Sequence, residues 1–224
     1  MSNRALSSTT DLLRTPFASG TRQTARRRSL IIDSLARARY SNIRFEQANA
    51  QALPFEADSF DAVVSAFGLC HLPSPELGLA EARRVLKSGG RFAFTVWDLP
   101  ENVVGLGAVY DAIRAHGSMN VNLPVGPNFF LFSSAEHSTK ALLDAGFEAP
   151  TFRQVPQTWR GTDPDELFDM VAQGTVRAAA TLRAQEAQAR QVIREAVRKT
   201  ISAYRRGDRY EVPMPAVLAA AVKP

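Results

Sequence analysis

The 224-residue sequence predicts an α/β fold with a mostly parallel sheet and helices on both faces. Three observations carry that expectation. Residues 60 to 67 (Phe-Asp-Ala-Val-Val-Ser-Ala-Phe) form a nearly continuous apolar run, as in a strand buried on both faces of a parallel sheet. Ser74-Pro75 then opens a stretch with helical spacing, and Gly89-Gly90 leads into a second apolar run over residues 91 to 97. Strand, helix, double glycine and strand in that order make a right-handed crossover unit.

Each element has a local reason. The alternation Ile43-Arg44-Phe45-Glu46 suits a strand at the side of the sheet, followed by a turn at Leu53-Pro54. Pro73 ends the 60–67 run. Ser74 is a helix N-cap, and Pro75 at the first helical position lacks only an N–H that would be unsatisfied there anyway. Leu79, Ala82, Val85 and Leu86 then share a face, and Gly89 and Gly90 supply the left-handed turn past Lys87. Val104, Val109 and Ile113 mark the next helix. A loop rich in Pro, Gly and Asn follows and ends in Phe129, Phe130 and Phe132, a candidate substrate side. Ser133 and Glu136 read as a capping box, and Gly146 closes that helix. Phe152 to Val155 reads as a strand. Asp163, Pro164 and Glu166 repeat the capping signature ahead of a long helical stretch to about Tyr204, with Ile193, Val197, Ile201 and Tyr204 on one face. Tyr210 to Val222 reads as a closing strand interrupted by Pro213 and Pro215, which favours a sheet edge or a hairpin partner.

Composition narrows the function classes. No apolar run approaches the roughly 20 residues that cross a bilayer, and the N-terminus lacks a secretory apolar core, so a soluble, cytoplasmic protein is expected. One cysteine, Cys70, excludes an internal disulfide framework and cysteine-rich metal sites. The net charge is +5, yet residues 1 to 40 hold eight arginines against two aspartates, which leaves the remainder at −1. The basicity thus belongs to an irregular N-terminal segment and not to a phosphate-binding face, and a nucleic-acid partner is not expected. That segment, rich in Ser, Thr and Arg, reads as damaged or misread coding sequence, a disordered tail or a transit peptide. Residues 41 to 224 form the folded body, with 98–132 and 163–206 as elaborations.

Specific motifs lie between residues 49 and 91. Asn49-Ala50-Gln51-Ala52-Leu53-Pro54-Phe55 is followed by Asp58-Ser59-Phe60-Asp61-Ala62-Val63, then by Phe67-Gly68-Leu69 and His71-Leu72. Glu81-Ala82-Arg83-Arg84-Val85-Leu86-Lys87 and Gly89-Gly90-Arg91 complete the set. In order and spacing these resemble the ubiquinone/menaquinone-biosynthesis-like (type 11) group of class I S-adenosylmethionine-dependent methyltransferases. The resemblance is tightest over about residues 36 to 97.

The resemblance implies a Rossmann-like sheet, S-adenosylmethionine as cofactor and a small-molecule methyl acceptor. It places Asn49 and Ala50 beside the adenine, where the Asn49 amide oxygen would accept from the exocyclic amine, and Ala66 and Phe67 along the methionine part. An asparagine that merely stabilises a turn is the competing reading of Asn49. Where some relatives carry serine before Phe-Gly-Leu, this chain has Ala66. His71 is a candidate proton acceptor toward substrate or else a structural residue of its loop, and Cys70 reads as a small core residue. Methyl transfer from a sulfonium can rest on proximity and alignment, so the lack of a catalytic triad is no objection.

The family's glycine-rich cofactor loop has only poor counterparts, Ala18-Ser19-Gly20-Thr21-Arg22 and Leu30-Ile31-Ile32-Asp33-Ser34. Asp33 is the candidate ribose acid. Too few residues separate Gly20 from Tyr40 for a complete unit of roughly 30 residues, so the first strand-helix units are expected to be missing or distorted. Their loss would expose the 60–67 strand and offer an edge for oligomerisation. Two functions follow: a small-molecule methyltransferase, or a cofactor-free, inactive relative acting as a partner or remnant. A nicotinamide-dependent dehydrogenase is set aside, since no Gly-x-Gly-x-x-Gly follows a strand.

Overall fold

The computed structural model describes residues 42, 44, 46–123 and 126–224. The unit considered below is Ala48–Pro224. The irregular segment 1–40, including Asp33, and positions 43 and 45 of the expected first strand lie outside the described residues.

Strand β1 is Phe60–Ala66, helix α1 is Pro75–Val85 and strand β2 is Leu86–Trp97. They are followed by α2 (Val104–His116), α3 (Ala135–Asp144), β3 (Glu148–Val155), β4 (Thr158–Gly161) and α4 (Asp165–Gly174). The chain closes with α5 (Arg177–Arg183), α6 (Ala187–Ser202), β5 (Arg205–Arg206), β6 (Arg209–Pro213) and β7 (Ala216–Val222).

The α/β class stands, with a mixed sheet in the order β1-β2-β7-β3. β1 and β2 run parallel, joined through α1 as the crossover pattern requires. β7 runs antiparallel to both β2 and β3, so these described pairings are mixed rather than mostly parallel. A second, three-stranded sheet has the order β4-β6-β5.

Side-chain size explains why β7 sits centrally. Its inward residues Ala219 and Ala221 lie opposite Phe94 and Phe92 in the register, leaving room for large rings. Phe92 stacks on Phe147 at 5.4 Å, and Phe94 meets Phe132 edge-on at 5.6 Å. Large residues facing small ones interdigitate at interior density. Leu79 and Ala82 of α1 and Leu142 of α3 close this core on one face. On the alternate face of β2, Trp97 packs against a second core built by α2, α4, α5 and α6, with Ile113, Leu167, Val171 and Val197 fully buried.

Four expectations change. The 60–67 strand is not buried on both faces: Ala62, Val64 and Ala66 are exposed, Val64 by 70%. Among the described residues nothing packs over that face or pairs with the outer edge of β1. The cap assigned to Ser133 belongs one residue later and is a simple N-cap rather than a box: Ser134 accepts from the His137 N–H at 3.4 Å, while Ser133 is buried and its hydroxyl donates to the Trp97 carbonyl at 2.7 Å. The long helix to Tyr204 is three helices. Thr175 makes the first break, its hydroxyl donating to the Val171 carbonyl at 2.7 Å and accepting from the Ala179 N–H at 3.1 Å, so that one side chain closes α4 and opens α5. Finally, Pro213 and Pro215 divide the closing strand into β6 and β7, which lie in different sheets and occupy the middle of each.

The second capping signature holds. The Asp163 carboxylate accepts from the Asp165 N–H at 2.9 Å, while Glu166 reaches back to the Asp163 N–H at 3.3 Å. Among the described residues no helix is long and apolar enough to cross a membrane.

Candidate functional site

The chain leaves β1 through Phe67, whose φ of 52° is left-handed. In a bulky residue that backbone costs on the order of 1–2 kcal/mol and persists where the surroundings impose it. Here the Phe67 N–H donates to the Thr95 carbonyl at 3.0 Å and to Thr95 Oγ1 at 3.3 Å. Its ring lies 4.7 Å from that of Trp97, at the end of β2. Gly68 follows in a close approach, since a Cβ there would meet Ser65 Oγ at 3.0 Å.

One turn of 3-10 helix, Leu69–His71, buries Leu69 and Cys70 and leaves His71 exposed. The His71 ring is 5.3 Å from Phe129, which in turn meets Phe130 at 5.1 Å. Burial pushes the Cys70 thiol up to about 11, so it stays protonated near neutrality and is no nucleophile. The two half-buried phenylalanines therefore stand beside the loop that follows β1, whereas Phe132, expected with them, belongs to the core at 2% exposure.

Asn49 and Ala50 lie in an exposed turn. The Asn49 side-chain oxygen accepts from the Gln51 N–H at 3.0 Å, and the Ala52 N–H donates to the Asn49 carbonyl at 2.9 Å. This self-closing turn is the local reason the loop holds its shape. Beyond it, Glu81 and Arg84 of α1 clamp the Leu53-Pro54-Phe55 segment. The Leu53 N–H donates to Glu81 at 2.6 Å, and Arg84 donates to the carbonyls of Phe55 at 2.8 Å and Leu53 at 3.1 Å. Arg84 also pairs with Glu81 at 2.6 Å and, with the Leu53 N–H, holds that carboxyl down near 2 against the opposing effect of burial.

Sequence-expected residues thus fall in two neighbouring loops on α1 and the carboxyl end of β1. Ala66 and Phe67 lie with Thr95 and Trp97, His71 lies with Phe129, and Asn49 and Ala50 lie on the clamped loop. No hydrogen bond between described residues joins the Asn49 turn to the Phe67 loop. Asp98 was missed. It is 4% exposed just past β2, and its carboxylate accepts from the Leu99 N–H at 2.8 Å, from Asn102 at 3.1 Å and from the Gln154 amide. It ties β2 to the following turn and to β3. The only trace in the sequence is a carboxylate directly after an apolar strand run.

Crevices at the carboxyl ends of parallel strands are where open α/β sheets bind ligands. Residues 17–94 match the methyltransferase domain family. That match spans about a third of the chain and likens this stretch to the class I methyltransferases. The chain is also similar to proteins named ubiquinone/menaquinone biosynthesis C-methyltransferase UbiE. The protein from Marinomonas sp. is 46% identical over 124 residues, covering 51% of this chain and 49% of that one. The protein from Rhizobium etli is 48% identical over 75 residues, covering 32% and 28%. The chain therefore spans about half the length, or less, of the curated relatives it matches.

Solved structures show the same fold. The YcgJ protein of Bacillus subtilis aligns with a TM-score of 0.52 at 20% identity, covering 87% of this chain and 77% of that one. A methyltransferase-like protein from Bacillus halodurans aligns with a TM-score of 0.51 at 20% identity, covering 87% and 79%. The family's cofactor is S-adenosylmethionine. Among the described residues, the exposed Asn49 amide oxygen is an acceptor of the kind an exocyclic amine requires, and the backbone at Gly68 has no side chain to keep a ligand away; Asp33 lies outside the described residues.

Proposed function

We propose that this chain transfers a methyl group from S-adenosylmethionine to a small apolar or aromatic acceptor at the carboxyl ends of β1 and β2. The observation that carries the reading is Phe67, held left-handed against Trp97 where the two parallel strands end. In this reading Ala66 and Phe67 line the methionine part, while Asn49 and Ala50 border the adenine. The Asn49 oxygen has a second lone pair beyond the one its turn uses, which leaves it able to accept from an exocyclic amine. When bound, the cofactor supplies an electrophilic methyl on a sulfonium. Phe129, Phe130 and Trp97 would orient an apolar acceptor, and His71 would take a proton from it where the acceptor must lose one.

Titration calorimetry of the purified chain with S-adenosylmethionine tests the reading. Micromolar binding is expected, and Asn49→Ala should weaken it by roughly two- to tenfold, the worth of one neutral hydrogen bond. An absence of binding heat would leave the second reading, a relative that does not bind the cofactor. The feature that favours that alternative is the sequence Ala18 to Arg22, where Arg22 stands in place of a glycine of the cofactor loop. Pairing of two copies through the outer edge of β1 is the partner reading that accompanies either function, and light scattering of the purified chain decides it.

A further inference from the structure

Helices α4 and α6 run past each other in opposite senses and are joined by a ladder of ion pairs. Asp165 meets Arg198, and Asp169, one turn further along α4, meets Arg194, one turn back along α6. Arg194 also reaches Asp165 at 3.4 Å and lies 4.5 Å over the ring of Phe168, so its position is fixed from two sides. The next arginine in the series is Arg190. Its rung on α4 falls at Ala172 and Gln173, and the acidic series has ended. Arg183, at the last turn of α5, stands on the same rim. Among the described residues neither Arg183 nor Arg190 has a carboxylate partner.

These two cations border a cavity of about 360 Å³ between the three helices. Its floor is apolar: Phe168, Ala179 and Leu182 are buried, and Ala172 is half-buried. Asp169 also lines it, already engaged by Arg194. At about 30 Å³ for each water-sized volume, the space holds on the order of ten non-hydrogen atoms.

We propose that this cup binds a small monocarboxylate with an aryl or short acyl body, whose carboxylate completes the third rung against Arg190 and Arg183. The physical reason is threefold. Planar guanidinium forks match a carboxylate bidentately, and two of them stand on one rim. The apolar floor rewards a hydrophobic body rather than a bare ion. The carboxylate of Asp169 on the wall disfavours a dianion such as phosphate, which selects a single negative charge. The inference does not depend on methyl transfer, since none of these residues belongs to the loops after β1.

The test is calorimetry on the full chain with 3-phenylpropionate, the neutral alcohol 3-phenylpropanol and inorganic phosphate. The acid should bind at least about tenfold more tightly than either the alcohol or phosphate. Arg190→Gln and Arg183→Gln should each weaken the acid several-fold and leave the alcohol unchanged. Both arginines are exposed, so the thermal midpoint of each variant should match the parent and exclude misfolding as the cause. Ala172→Phe, which fills the cup and keeps both arginines, should abolish binding of acid and alcohol together. The proposal is overturned if acid and alcohol bind alike, if phosphate equals the acid, if a chain carrying both Arg183→Gln and Arg190→Gln still binds the acid fully, or if the acid does not bind at millimolar concentration.

Discussion

Glu81 accepts two hydrogen bonds at 2.6 Å, one from the Arg84 guanidinium a turn away on α1 and one from the backbone N–H of Leu53, 28 residues earlier. Helical spacing places the first pair. The second fastens the loop that follows Asn49 and Ala50 to the helix. Glu81→Gln keeps the shape and removes the charge, and it should destabilise the fold by about 1–3 kcal/mol in urea unfolding, the range for a charge-assisted bond with a backbone partner.

That same interaction sets an acid limb. The folded carboxyl titrates near 2, below its ordinary value of 4.5, chiefly because Arg84 favours the ionised form. A depressed folded pKa stabilises fully above the unfolded value and loses that contribution as pH falls through the folded one. The gap in urea midpoint between the parent and Glu81→Gln should therefore be full near pH 7 and visibly smaller at about pH 3. A gap that is constant across this window would exclude the clamp as a charged interaction.

Gln185 joins α5 to the chain beyond α2. Its amide donates to the carbonyls of Ser118 at 2.7 Å and Thr181 at 2.9 Å and accepts from the Ser118 N–H at 2.8 Å, at 7% exposure. Gln185→Leu leaves the Ser118 backbone without these partners and should lower stability by about 1–3 kcal/mol, with faster amide exchange at Ser118 as the local readout. Gly117→Ala should act on the same spot, because a Cβ there would fall 2.5 Å from the Gln185 oxygen.

Cys70 offers a kinetic check. With its thiol buried to 3% and pushed up to about 11, it should resist an aromatic disulfide reagent in the native protein and react fully in urea. Fast native labelling at neutral pH would mean that the turn after β1 opens readily.

Ala149 lies at φ 49° near the start of β3, where the pairing with β7 shifts register. A left-handed alanine is strained in a way glycine is not. Ala149→Gly should raise stability by roughly 1 kcal/mol, read as a higher thermal midpoint.

Local chemistry foretold much of the fold, element by element. Pro75 starts α1, although the Ser74 side chain makes no capping bond, Gly146 at φ 80° closes α3, and Asp163 with Glu166 caps α4, because each depends on residues within a turn of one another. The candidate site was legible in part for a different reason: the ordered run from Asn49 to Gly90 carries the family likeness. Ser133 shows where this stops. Its sequence context reads as a cap, but its hydroxyl reaches the Trp97 carbonyl, 36 residues away.

By itself the sequence determined the α/β class, the β1-α1-β2 unit, the family likeness of residues 49 to 91 and the confinement of excess positive charge to residues 1 to 40. Those properties reside in periodicity, short-range capping and composition, all of which survive without knowledge of distant contacts. Only the tertiary structure decided that β7 lies between β2 and β3, that Phe132 is core while Phe129 stands beside His71, that one face of β1 is exposed, and that Glu81 holds Leu53. Each of these depends on which remote side chain fills a given volume or satisfies a given polar group, and a hydrophobic pattern specifies that a residue is buried without specifying against what.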